Sequence, residues 1–374
     1  MFTRNSIFAA AALSMLPLFS QAPGVSSPNF NGRVDFQADS PVVATSNSWT
    51  GSTAQPRGGA LVIDVHASLM LRNLDKRRIR GITLVVTAQQ DVMAGGKGSV
   101  SFPTLDVGPG DTFPIKVDVS LLRPLQQGAG PLVDVKLDGV LFDDLTFYGP
   151  NLLKSRRTLT IWELEARRDR QHFRSLLERA GGEGLRQEMI VATQREKDRQ
   201  QVGVQMVRGG RVTNTDTEKK LQFAFLQLPD SPVEPIAGNA SVSGNEARSP
   251  WFDLRNRSGS VVNHVEMGWI IRDEKGREFL AGAVSSDSKL APGQRTQLTQ
   301  DTLVRFTSGA PIGTMSGFVH HVEFGDGKIW VPSREALDQP GLRGVVAPSP
   351  EETRLVRLYR RHGLSAVIEE LKRQ

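Results

Sequence analysis

The sequence predicts a mainly β protein with a helical insert: two β-sandwich domains joined by an α-helical segment, with short helices at the C-terminus. Three observations predict it. Arg72-Asn73 is followed 37 residues later by Pro109-Gly110, and Arg255-Asn256 is followed at the same distance by Pro292-Gly293. Both stretches then reach an Asp-Gly pair with an aromatic just beyond, Asp138-Gly139 with Phe142 and Asp326-Gly327 with Trp330. A shift of 183 positions also lays Ile79, Ile82, Leu84 and Val86 on Val262, Val265, Met267 and Trp269. Val265, Met267, Trp269 and Ile271 alternate with Glu266, Gly268 and Arg272, the period of a half-buried strand.

The paired markers have turn chemistry. Asn bonds locally to backbone. Pro presets one turn dihedral and the Gly after it accepts a positive one. Asp138-Gly139 and Asp326-Gly327 read as tight hairpin turns between apolar runs. Short strands separated by turns, repeated once, predict a β-sandwich. In general arrangement the repeat resembles immunoglobulin-like or fibronectin-like modules of bacteria, without the paired cysteines of antibody domains. The resemblance implies a fold and no particular ligand.

Taken in order, residues 1–22 read as a secretory signal. Arg4 supplies the positive start, Ile7 to Phe19 the apolar stretch, and Ser20-Gln21-Ala22 the small residues before a cut. Residues 23–58 are rich in Ser, Pro, Asn and Gly and read as a flexible leader, with one strand near Val34-Asp35-Phe36. The first sandwich is expected over 59–150. Gly95-Gly96-Lys97-Gly98 within it lacks the spacing of a phosphate loop and reads as a hairpin tip. Asp143-Asp144 reads as an exposed turn.

A helical connector is expected over 151–200. Thr160 and Glu163 make a capping box. Ile161, Leu164, Phe173, Leu176 and Leu177 form an apolar stripe, Gly181-Gly182 ends the first helix, and a second runs from Leu185 towards Arg199. Its charges are of interspersed sign, as on a solvated helix face, so no nucleic-acid surface is expected. The second sandwich spans 201–335. Its strands start at Val202-Val204-Met206 and Phe223-Phe225, and Pro229 to Pro250 reads as a long loop. In the remainder, 336–374, Ser349-Pro350-Glu351-Glu352 is a helix start. Leu355, Leu358 and Tyr359, then Leu364, Val367, Ile368 and Leu371 beyond Gly363, form apolar faces expected to dock on the chain's own surface.

Composition bounds the chemistry. The chain has 374 residues, a formal net charge of +6 and no cysteine. Disulfides, thiolate nucleophiles, iron–sulfur clusters, Cys-based zinc sites and a lipidated N-terminal Cys are therefore excluded. No stretch after the signal is long and apolar enough to span a membrane as a helix.

Few constellations invite a catalytic reading. His264 with Glu266, and His320-His321 with Glu323, carry metal-ligand residue types. On a regular strand His320 shares a face with Phe318, Val322 and Phe324 and reads as core, while His321 and Glu323 pair on the other face. Ser286-Asp287-Ser288-Lys289 has the spacing of an acyl-serine motif but lacks its Lys-Thr-Gly companion. Trp269 and Trp330 read as core anchors, and Trp49 and Trp251 as the exposed binding aromatics. No residue is assigned a catalytic, cofactor-binding or metal-binding role, and no cofactor is expected.

The expected function is an exported, non-enzymatic binding or scaffolding protein of the cell envelope, in the periplasm or outside the cell. Partner contacts are expected through sheet edges, loops or the C-terminal helices. The alternatives are a hydrolase or carbohydrate-binding accessory protein whose site carries no motif, and a periplasmic assembly factor or chaperone.

Overall fold

A computed structural model describes residues 30–88, 96–125, 131–198, 204–208, 218–299, 302–306 and 311–373. The expected signal over 1–22 lies outside the described residues. The first copy runs β1 (Gly32–Val34), β2 (Val42–Ser48), β3 (Thr53–Arg57), β4 (Ala60–Asn73), β5 (Ile79–Ala88), β6 (Lys97–Phe102), β7 (Thr112–Pro124), β8 (Val133–Phe142) and β9 (Phe147–Tyr148). They form two sheets, ordered β1-β8-β5-β6 with β9 beside β8, and β2-β4-β3 with β7 on the far side of β4. The two sheets share one core. On β4 the sequence alternates: Leu61, Ile63, Val65, Ala67, Leu69 and Leu71 are buried between exposed His66, Ser68, Met70 and Arg72. Burying each branched side chain contributes about 1.5–3 kcal/mol.

The expected leader is largely structured. Residues 32–57 form β1, β2 and β3, because β1 completes the edge of β8 in parallel and the other two pair with β4. Polar composition concealed this: within the three strands only Val42 and Ala54 are buried. Trp49, expected to be exposed, packs on the core with its ring 5.7 Å from Phe30.

The chain then enters α1 (Ser155–Asp198), a helix broken at Gly181 (φ 67°). The second copy runs β10 (Val204–Arg208), β11 (Lys219–Gln222), β12 (Ala224–Phe225), β13 (Val233–Ser243), β14 (Glu246–Asn256), β15 (Val262–Asp273), β16 (Glu278–Ser286), β17 (Arg295–Thr299), β18 (Thr302–Phe306), β19 (Ile312–Phe324) and β20 (Ile329–Trp330). Its sheets are β12-β19-β15-β16 with β20 on β19, and β10-β18-β14-β13-β11 with β17 on β14, again around one core. Residues 229–250, expected as a loop, are mostly the β13–β14 hairpin. Small side chains make it strand-like despite its composition: Ala240, Val242 and Ala247 are buried, and Gly244 (φ 54°) makes the turn. This places Trp251 on a central strand paired on both sides, and not on an edge.

The spacing of 37 residues has a physical cause. Asn73 and Asn256 are both fully buried. Asn73 Nδ2 donates to the carbonyls of Arg77 (2.9 Å) and Gly108 (3.0 Å), and its backbone carbonyl accepts from Gly110 N at 3.0 Å. Asn256 Nδ2 donates to Ser260 O (2.8 Å) and Leu290 O (3.0 Å), and its carbonyl accepts from Gly293 N at 3.0 Å. Each Arg-Asn and its Pro-Gly turn are thus the two sides of one hydrogen-bonded clamp. The strand pairing follows the repeat: Arg72 faces Thr112 as Arg255 faces Arg295, both at a shift of 183, and Val86 faces Val135 as Trp269 faces Gly317, where β19 lies at a shift of 182 from β8.

The Asp-Gly pairs are not equivalent. Asp326-Gly327 is the hairpin turn after β19, with Gly327 at φ 82°. Its counterpart is Asp144-Leu145, where Leu145 takes φ 64°. In both, an aspartate carboxylate accepts a backbone N–H two residues on. Asp138-Gly139 lies inside β8, at a bulge that leaves Asp138 unpaired with β5. Asp138 is buried and accepts from Leu152 N (2.9 Å) and Ser155 Oγ, so it anchors the start of α1. The Thr160–Glu163 box consequently falls inside the helix, which begins earlier than its local signals indicate.

The chain closes with α2 (Arg334–Leu337), α3 (Pro340–Arg343) and α4 (Pro350–Arg373), the last broken at Gly363 (φ 78°). Ser349 Oγ accepts from Glu352 N at 3.0 Å, the cap the sequence announces. The apolar faces of α4 dock on α1, as expected. Phe173, Leu185 and Met189 of α1 and Leu355, Val367 and Leu371 of α4 share one buried cluster. These residues match in pairs at a separation of 182, as do Gly181 and Gly363. Among the described residues no helix is long and apolar enough to cross a membrane.

Candidate functional site

The first half of α1 contacts both copies. Towards the first copy, Leu159 packs where Gly81 of β5 leaves room, and Arg167 donates to the carbonyl of Asp143. Towards the second, Arg156 and Arg157 both pair with Glu323 of β19, Lys154 Nζ meets Asp287 at 2.6 Å, and Arg168 donates to Pro332 O at 3.0 Å. Between α1 and the outer face of β15 and β19 lies a cleft of about 350 Å3. Lys154, just before α1, and Arg157, Thr158, Ile161 and Trp162 of α1 line one wall. His264, Glu266, His320 and His321 line its sheet wall.

Strand geometry explains the sheet wall. His264 and Glu266 are two apart on β15, so both point outward while Val265 and Met267 point into the core. On β19 a bulge opposite Glu266 and Met267 inserts His320 as an extra residue. Val319 and Val322 both reach the core across it. The period-2 reading of this strand therefore fails. Phe318 faces outward into a small apolar cluster with Leu342 and Val345 rather than sharing a core face with His320. His320 is partly exposed beside the cleft, and His321 is buried at its floor. Glu323 is taken by the two arginines and does not pair with His321.

The ligating atoms of His264, Glu266 and His321 lie within 4.8 Å of one another. The rings of His264 and His321 stack with centroids 5.5 Å apart. His264 Nδ1 pairs with Asp287 Oδ1 at 2.6 Å, and His320 Nδ1 with Glu266 Oε1 at 2.9 Å. His321, only 3% exposed, has no hydrogen bond on either ring nitrogen among the described residues, and the Glu266 carboxylate is 3.5 Å from its Nδ1.

Electrostatics separates these groups. Burial pushes His321 down to about 3, with the neighbouring imidazoles and Arg157 acting the same way against Glu266. Burial, then Arg157, holds His264 below the usual imidazole value despite Asp287. Burial would raise Glu266, but the His320 hydrogen bond and the imidazoles outweigh it and hold the carboxyl below its usual value. For His320 burial is outweighed by Glu266 and Glu165, so it holds its proton more tightly than a free imidazole. The floor of the cleft therefore offers neutral imidazoles and an ionised carboxylate.

The other sequence candidates do not converge here. Ser286 Oγ meets Ser288 Oγ at 3.2 Å, and Asp287 serves His264 and Lys154, so this stretch is a turn and not a nucleophile with its base. Trp269 is in the second core, and Trp330 packs at its margin. Arg157, Trp162 and Asp287 were missed by sequence reasoning. Arg157 and Trp162 lie more than a hundred residues from the histidines in sequence, and Asp287 stands out only within the Ser286–Lys289 stretch, whose pattern does not point to His264. No protein-family model matches the chain, and a search of curated proteins gives no significant match.

Proposed function

We propose that the protein is an exported, non-enzymatic binding protein of the cell envelope that takes its ligand in the cleft between α1 and the second copy. On this reading the two sandwiches, of the immunoglobulin-like or fibronectin-like kind, and the helices between and after them are the scaffold. The mature chain starts near Pro23. One observation carries the assignment of the binding site: α1 closes against glycine in the first copy, yet over the matching positions of the second it leaves a cleft floored by ionisable side chains. A cleft where polar groups of perturbed ionisation converge is a candidate site for binding.

The test is a thermal-shift panel of envelope glycans, peptides and anionic metabolites on the full chain and on Trp162→Ala. A ligand at one hundred times its dissociation constant stabilises by about 2.7 kcal/mol. A shift present in the wild type and lost in Trp162→Ala is the expected result. No shift from any class, or one that Trp162→Ala leaves intact, refutes the cleft. Intact mass of protein from the exported fraction checks the start of the mature chain, and retention of Met1 to Ala22 there refutes export.

A further inference from the structure

We propose that the floor of the cleft is a binding site for a divalent transition metal of the zinc class, held by Nε2 of His264, a ring nitrogen of His321 and the carboxylate of Glu266. This rests on the reading of the cleft as the ligand site and names what it takes.

Four observations converge. The first is proximity: three ligating atoms from two adjacent strands lie within 4.8 Å of one another. Ligands about 2.0–2.1 Å from a tetrahedral zinc stand about 3.3 Å apart, so small side-chain rotations close the set. The second is His321. A buried polar side chain without a hydrogen-bond partner calls for an explanation, and here both ring nitrogens lack one. The third is support behind the ligands. Asp287 engages Nδ1 of His264, which fixes the ring and leaves Nε2 for a metal, and His320 orients Glu266. Carboxylate–imidazole–metal relays of this form are the usual second layer of such sites. The fourth is internal. The first copy carries Gly81, Thr83 and Gly139 at the register positions of His264, Glu266 and His321. The sandwich therefore forms without imidazoles there, and folding alone does not account for them.

Donor chemistry sets the class. Two imidazoles and one carboxylate suit zinc and its neighbours, whereas calcium and magnesium prefer all-oxygen sites. Three protein ligands leave a fourth position, and the cleft borders all three.

The experiment is titration of metal-free full chain with Zn2+ by calorimetry and with Co2+ by visible absorption. One equivalent of each per chain is expected, with the intense bands of four- or five-coordinate Co2+ and a raised melting temperature. His264→Gln and Glu266→Gln should each weaken binding by about 100-fold or more, and Asp287→Asn by about 10–100-fold with the stoichiometry kept. His66→Gln, at an exposed histidine paired with Asp118, should change nothing. Melting of each metal-free variant shows that it is folded. Should His321→Gln not fold, His264→Gln and Glu266→Gln decide. No stoichiometric binding by the wild type, or binding undiminished in both of those variants, overturns the proposal. Zinc that fails to bind while an organic ligand still shifts the wild type sinks the metal site alone. Failure of both sinks the cleft with it.

Discussion

At four register-matched positions the first copy carries Gly81, Thr83, Asp138 and Gly139, and the second carries His264, Glu266, His320 and His321. The backbone is the same in both, including the bulge that holds Asp138 in one and His320 in the other. The chemistry is opposed. In the first copy glycine lets the structure close: Leu159 settles on Gly81 and the ring of Phe147 on Gly139. Thr83 is satisfied by Ser101 at 2.9 Å, and the bulge residue turns outward to hold the start of α1. In the second copy those positions are imidazoles and a carboxylate, and a cleft remains. The inward residues and the Asn clamps fix the fold, which leaves the outward positions free to specialise.

The comparison can be tested from its cores outward. Trp269 stands where the first copy has Val86, with Phe223 4.6 Å and Phe252 5.9 Å from its ring. Trp269→Ala should lower stability by about 3–5 kcal/mol in denaturant titration. An unchanged midpoint would show that the second core is not built around this ring. Asp138→Ala should cost about 1–3 kcal/mol, since it removes a buried acceptor shared by the buried Ser155 hydroxyl and the N–H groups of Leu152 and Leu153, and should speed hydrogen exchange at those two amides. Exchange at wild-type rates would mean that α1 is anchored elsewhere.

Gly139→Ala places a methyl against Phe147 and should cost about 1–3 kcal/mol. In metal-free protein the matching His321→Ala removes an unpaired imidazole and should stay within about 1 kcal/mol of the wild type. Equal losses in the two variants would erase the contrast between a closed and an open face. The smallest effect lies in the clamps. Asp75 and Ser258 hold matched positions, each donating its N–H to the clamp Asn at 2.9 Å. The hydrogen bond from Arg77 is the chief cause that pulls Asp75 down to about 2 from 3.8. Because the folded value is the lower one, this stabilisation is present above pH 3.8 and is lost as pH falls through about 2. With Arg77 partly exposed, Asp75→Asn should cost about 1 kcal/mol at pH 6 and almost nothing at pH 2. A difference that persists at pH 2 would assign the effect to packing.

Much of the fold was legible where the signal is local. The alternation of β15, the paired spacing of the clamps and the Ser349 cap all report contacts made within a few tens of residues. What escaped depends on contacts at long range. Asp138-Gly139 looks like a turn, and only the approach of α1 shows that it is a helix anchor inside a strand. Asp143-Asp144 reads as an exposed turn, which it is, but its role as the counterpart of Asp326-Gly327 is hidden because Leu145 takes the positive φ that glycine takes in the second copy. His320 was placed in the core because a bulge adds one residue and reverses the faces beyond it. Of the candidate site, His264 and Glu266 were visible as a same-face pair. That His321 joins them follows from the register of β15 with β19, and that α1 covers them follows from its contacts with both copies.

The docking of α4 on α1 has a further consequence. Each helical segment breaks at a matched glycine and offers matched residues to one cluster: Phe173 with Leu355, Leu185 with Val367, Met189 with Leu371. That is the form of a two-fold subunit interface, drawn within a single chain. In a dimer of identical subunits every substitution appears twice, so a histidine that opens one face opens both. With the partners joined end to end that constraint is lifted. One sheet keeps its glycines and grips the helix; the other gives them up, and the helix held by the first becomes the wall of the cleft on the second.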